Sequence, residues 1–327
     1  MKLVKYNKLP KKRINICKHE KSAVINLIVQ GGDYMSKNIS IFRKNGDMAA
    51  FIAAYDEALK LWTVPFEELM IPTRFGETHI VVAGSADAEP LILIHGMTFS
   101  ATMWYPNIEM LAEKYRVYAL DTIGDVGKGN VTDIIKNRQD AVNWLDDVLL
   151  ALKLCKAIFM GHSMGGWLCT NFAIHNSEKV EKLILLAPAS GMHKITPKFF
   201  FKVYPAVVFP SETRIMKEIE WFVSPVFQPD ERAKTVFRQF IVSGMNCVPC
   251  IRIIPSVFAD EELQNLTVKT LLLVGEHKTI YNPNKMLERA KRLMPNLTTQ
   301  MIPNAGHGLS IEQHGIVNEA VKTFLKK

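Results

Sequence analysis

Phe159-Met160-Gly161-His162-Ser163-Met164-Gly165-Gly166-Trp167 sets a serine between two glycines, where an apolar β-rich run gives way to an apolar segment of helical length. That context predicts a sharp strand-to-helix turn with Ser163 at its tip. Residues 161 and 165 lie on either side of such a turn and must lack side chains to avoid collision. A serine raised in this way is a candidate nucleophile, and the rest of the chain can be read for the groups that a nucleophilic serine requires.

Outward from the motif, short apolar runs alternate with amphipathic segments from about residue 66 onward, a pattern that predicts a mostly parallel sheet covered on both faces. Strands are expected near 66–72, 78–84, 91–95, 116–120, 157–161, 182–187, 269–275 and 297–302. Helices are expected near 102–113, 138–153, 164–176, 283–294 and 312–326. Residues 191–262 break the alternation, with seven prolines among many aromatics and no convincing strand. They read as a helical cap inserted after strand six. Upstream, Met48, Phe51, Ile52, Tyr55, Leu59 and Trp62 recur at helical spacing behind Asp47, a suitable N-cap. The expected organisation is a basic leader over 1–34, an extension with one amphipathic helix over 35–65, core over 66–190, cap over 191–262 and core again over 263–327.

Attack by a serine on an acyl carbon creates an oxyanion that backbone N–H groups must stabilise. One donor is the residue after the nucleophile, Met164. The second is expected after strand three, where Leu91-Ile92-Leu93-Ile94-His95-Gly96-Met97 points to the Met97 N–H. His95 itself reads as a residue bracing that loop. The general base should come late in the chain, and Asn304-Ala305-Gly306-His307-Gly308 supplies it between the last strand and the last helix. Small neighbours leave room for the His307 ring to reach Ser163. This chemistry requires no cofactor or metal.

His95-Gly96, Gly161-His162-Ser163-Met164-Gly165 and Gly306-His307, in this order, resemble the α/β-hydrolase superfamily over roughly residues 66–326. The resemblance implies an α/β-hydrolase fold: an eight-stranded, mostly parallel sheet flanked by helices, with a helical cap. Met103-Trp104-Tyr105-Pro106-Asn107, Gly275-Glu276-His277 and Ile280-Tyr281 are further similar to bacterial carboxylesterases of the type that hydrolyse arylpropionate esters. Hydrolysis of a small-molecule ester of an apolar acyl or aryl acid, through an acyl-enzyme, is the function this implies. Cap aromatics such as Phe200 and Trp221 are expected to wall the substrate pocket.

One position departs from the family. Its triad acid commonly stands three residues beyond the glycine that ends strand seven, and here that residue is Lys278. A lysine disfavours the charged histidine that general-base catalysis must form. Residues 187–211 contain no Asp or Glu, and between Gly275 and Leu287 the only carboxylate is Glu276. Glu276 is therefore the candidate acid by elimination. The alternative is a ligand-binding or sensing protein derived from a hydrolase, with weak or no turnover.

Of the formal charge of +8, residues 1–34 carry +6, leaving +2 on the remainder. A nearly neutral folded part argues against nucleic-acid binding. No apolar run approaches the length of a membrane span, and the leader lacks the features of a secretion signal, so a cytoplasmic location is expected. Five cysteines, an odd number in a large chain, suit a reducing compartment better than a disulfide framework. Cys247-Val248-Pro249-Cys250 has redox spacing without the strand-to-helix setting that activates a thiolate. Gln30-Gly31-Gly32-Asp33-Tyr34-Met35 can be back-translated into a purine-rich stretch ahead of a start codon, which makes Met35 a candidate natural start.

Overall fold

A computed structural model of the chain describes residues 38–326; the expectations for the leader and for Met35 lie outside them. Asp47 starts the first helix, α1 (Met48–Leu59), by accepting the Ala50 N–H at 2.9 Å. The helix buries Phe51, Tyr55, Ala58 and Leu59. Burying each of its large apolar side chains stabilises the fold by about 1.5–3 kcal/mol relative to exposure.

The sheet begins with the hairpin β1 (Phe66–Thr73) and β2 (Gly76–Ala83), closed at Gly76 in a positive-φ conformation of 121°. A Cβ there would stand 2.0 Å from the Asn130 carbonyl oxygen, so only glycine fits. Next come β3 (Glu89–Ile94), the short helix α2 (Ile108–Ala112), β4 (Tyr115–Leu120) and the two-residue β5 (Asn130–Val131). Helix α3 (Arg138–Ala151), β6 (Ala157–His162), α4 (Met164–His175) and β7 (Val180–Leu186) follow. Four helices then intervene: α5 (Pro197–Val208), α6 (Glu212–Phe222), α7 (Glu231–Asn246) and α8 (Asp260–Gln264). The chain closes with β8 (Thr270–Gly275), α9 (Pro283–Leu293), β9 (Leu297–Ile302), α10 (Leu309–Glu312) and α11 (His314–Leu325).

The strand order is β1-β2-β4-β3-β6-β7-β8-β9, with β5 pairing only with β2. The β1–β2, β2–β4 and β2–β5 pairs are antiparallel and all the others parallel. The sheet thus has the eight expected strands plus β5, too short to register as a hydrophobic run. Strands β6 and β8 are buried along their whole length, as a sheet covered on both faces requires. The parallel strands carry their C-terminal ends to one edge, where a sheet of this kind places its ligand site.

Two expected helices are interrupted. In place of one helix over 102–113, a 3₁₀ turn over Ala101–Trp104 precedes α2. Pro106 has no N–H to donate back, and the chain turns through i to i+3 bonds from Tyr105 N to Thr102 O and from Asn107 N to Trp104 O, each about 3 Å. The expected helix over 312–326 is divided between α10 and α11 at Gln313, whose φ of −130° and ψ of 42° are not helical.

Candidate active site

The turn joining β6 to α4 holds Ser163 at φ 53° and ψ −116°, a strained conformation for a residue with a side chain. Its neighbours explain how the strain is accommodated. A Cβ on Gly161 would meet the Gly165 carbonyl oxygen at 2.4 Å, and one on Gly165 would meet the Ile94 carbonyl oxygen at 2.1 Å. The turn is pinned to the adjacent strand by the Ser163 N–H, which donates to Leu186 O at 3.0 Å, and by the Ala189 N–H, which donates to Ser163 O at 2.9 Å.

His307 follows β9 and reaches this serine: its Nε2 lies 2.8 Å from Ser163 Oγ. Its backbone N–H donates to Phe222 O at the end of α6 at 2.7 Å. The ring is buried beside Phe222, with 5.5 Å between centroids, and beside His162 at 5.1 Å. Burial, aided by His162, holds the imidazole pKa well below the usual histidine value. The ring is therefore neutral and able to accept a proton at pH 7.

His162, inside the serine motif, uses Nε2 to donate to the His307 carbonyl oxygen at 2.8 Å. Burial lowers its pKa to about 4. It ties the loop that carries His307 to the turn that carries Ser163. Glu312 in α10 secures the same loop from behind: its buried carboxylate accepts the Gly306 N–H at 2.9 Å and the Ser224 N–H at 2.6 Å. The sequence reading missed Glu312, although a single acid in the apolar stretch Leu309-Ser310-Ile311-Glu312 was a signal for it.

The loop after β3 is held open by a separate set of bonds. His95 Nδ1 donates to Gly96 O at 2.8 Å, and its Nε2 accepts the Thr122 N–H at 2.9 Å. Thr98, at φ 67°, donates its N–H to the Asp125 carboxylate at 3.1 Å. Burial raises the Asp125 pKa to about 6. Among the described residues, neither the Met97 nor the Met164 N–H donates to a backbone acceptor outside a helix or strand. Both residues line the cavity that contains Ser163, consistent with free donors for an oxyanion.

Glu276, the acid reached by elimination, is not brought to His307. Its backbone N–H still pairs with Ile302 O of β9 at 3.0 Å, so the pleat of the sheet fixes its side-chain direction. Its exposed carboxylate accepts the Asn304 N–H at 3.1 Å instead. Lys278, at the family's usual acid position, is exposed. His307 Nδ1 is buried with no hydrogen-bond partner among the described residues.

Ser163 and His307 open on a cavity of about 280 Å³ roofed by α5, α6 and α7. Phe199, Phe222, Phe237 and Phe240 wall it, together with Phe200, which is 49% exposed. Trp221, the other expected wall residue, is not on the lining and packs behind it, 5.3 Å from Phe222 and 6.4 Å from Phe199 between ring centroids. Among the described residues no helix is long and apolar enough to cross a membrane.

The family described as alpha/beta hydrolase fold matches residues 89–313. The chain belongs to that family. Relatives of this α/β hydrolase include the Bacillus subtilis protein named uncharacterized carboxylesterase nap, 37% identical over 280 residues, which are 84% of this chain and 91% of the relative. Carboxylesterase YbfK of the same organism is 35% identical over 283 residues, 84% of this chain and 93% of the relative. Among solved structures, a naproxen esterase from Bacillus subtilis superposes with a TM-score of 0.78 at 37% identity, covering 84% of this chain and 97% of the other. The resemblance to esterases of the arylpropionate type is met by these relatives.

Proposed function

We propose that this α/β hydrolase is a carboxylesterase that cleaves a small ester with an apolar acyl or aryl part. The observation that carries the reading is the 2.8 Å contact between His307 Nε2 and Ser163 Oγ on a strained turn opening into an aromatic cavity. The carboxylesterase names of the relatives support it. Ser163 Oγ attacks the ester carbon as its proton passes to His307 Nε2, and the Met97 and Met164 N–H groups hold the oxyanion. The alcohol then departs with the proton from His307. Water, deprotonated by the same nitrogen, releases the acid and restores Ser163.

This reading also assigns specificity to the insertion between β7 and β8. Phe199→Ala, which opens the wall, is expected to change the ratio of kcat/KM between a bulky aryl ester and an acetate ester by about 10–200-fold. Trp221→Ala, behind the wall, is expected to change it far less. Equal effects of the two, or no change across a series of acyl lengths, would count against a wall set by Phe199.

A second reading, a sensing protein with little turnover, is favoured by one observation, the unpartnered His307 Nδ1. Repeated turnover of an aryl ester supports the esterase, whereas stoichiometric acylation without turnover supports the sensor.

A further inference from the structure

The inward stripe of α6 runs through the buried Ile215, Glu218 and Ile219 to the half-buried Phe222 at spacings of three, four and seven residues, so a carboxyl group occupies a position where an apolar side chain belongs. Glu218 is 8% exposed and lines the same cavity as Ser163 and His307. Among the described residues it makes no hydrogen bond and no ion pair. Burial alone raises its pKa to about 8. The cavity lining holds no Lys or Arg, and its two histidines, His162 and His307, are both held neutral at pH 7 by burial.

Leaving a carboxyl group in an apolar wall with no partner is unfavourable, and a leucine of similar size would remove that cost. A ligand can satisfy the group instead. We propose that Glu218 recognises a protonated amine on the substrate, so that this cavity takes esters whose acyl or alcohol part carries a basic nitrogen. This rests on the reading of the cavity as the ester site. A neutral carboxylic acid would gain one uncharged hydrogen bond from a ligand. A cation gains a charge-assisted hydrogen bond to the carboxylate and, from the faces of rings such as Phe199 and Phe222, a cation–π contribution. With a pKa of about 8, ionising the group at pH 7 costs roughly a factor of ten in affinity, which a desolvated ion pair offsets.

Two butanoate esters of matched shape test the proposal: 2-(dimethylamino)ethyl butanoate, protonated at pH 7, and its uncharged isostere 3-methylbutyl butanoate. The quantity read is the ratio of their kcat/KM values. In the wild type the ratio is expected to favour the amine ester by about tenfold or more, and Glu218→Gln and Glu218→Leu are both expected to erase that preference. An unchanged ratio in both variants, or no preference in the wild type, overturns the proposal. Retention of the preference by Glu218→Gln and its loss only in Glu218→Leu also overturns it, since an amide would then serve as well as a carboxylate. Calorimetric binding of the same two esters to the Ser163→Ala chain separates this from the esterase reading. A binding preference for the amine ester there supports the role of Glu218 even if no ester is turned over. Equal binding contradicts it even if both esters are hydrolysed.

Discussion

Replacing Ser163 with Ala is expected to lower kcat/KM for a small aryl ester by about 10²-fold or more while leaving the urea-unfolding midpoint within error of the wild type. The size follows from the state of the site. In a complete serine triad, loss of the serine costs about 2 × 10⁶ in kcat and loss of the acid alone about 3 × 10⁴, so a serine–histidine pair without its acid retains roughly 10² over the site with no serine. Here His307 Nδ1 has no acceptor among the described residues, so the reduced baseline is the one expected for this protein. The alanine keeps the same Cβ at φ 53°, so the strain of the turn and the Ser163 backbone bonds are unchanged. Equal ester hydrolysis by the variant would remove Ser163 from the mechanism.

The second large effect is a gain. Lys278→Glu places a carboxylate where the family usually carries its triad acid, and is expected to raise kcat by about tenfold at least, with roughly 10⁴ as the ceiling that an orienting acid can supply. Glu276→Gln, whose carboxylate engages Asn304 rather than His307, is expected to be nearly silent. The pH profile gives an independent readout. In the proposed mechanism His307 accepts a proton only when neutral, and burial holds its pKa well below the usual value, so the acid limb of kcat/KM is expected below pH 6.5 in the wild type. Exchanging a cation for an anion at position 278 favours the imidazolium, so the acid limb should move upward in Lys278→Glu. A silent Lys278→Glu together with a crippled Glu276→Gln would show that the acid is Glu276 after all.

The turn at Ser163 was legible in the sequence because a sharp strand-to-helix turn itself excludes side chains from its two neighbours. A Cβ on Gly161 would meet Gly165 O, four residues on, at 2.4 Å, and a Cβ on Gly165 at the start of α4 would meet Ile94 O at the end of β3 at 2.1 Å. His307 was legible for a related reason: chain order and small neighbours narrow the candidates to one loop. Glu276 was not, since spacing along a chain gives distance and no direction. Its backbone remains paired with β9, and that pairing turns the side chain toward solvent.

Glu218 and Glu312 show a second limit. Glu312 is a single acid in an apolar stretch and Glu218 falls on the apolar stripe of a charge-rich helix, so periodicity places both on buried faces. Periodicity does not say what lies opposite. Glu312 meets two backbone N–H groups of the His307 and α6–α7 loops, whereas Glu218 meets an open cavity. The split of the expected helix over 102–113 was signalled by Pro106, whose missing N–H weighs more than the apolar spacing around it.

If Ser163 forms an acyl-enzyme that water then clears, acid-quenched peptide mass analysis during turnover of 4-nitrophenyl acetate should catch it. One acetyl group is expected on Ser163, in the peptide containing Gly161-His162-Ser163-Met164-Gly165, together with continued release of many equivalents of nitrophenol per chain. Nitrophenol release at an equal rate from the Ser163→Ala chain, with no acyl group on that peptide in the wild type, would contradict it.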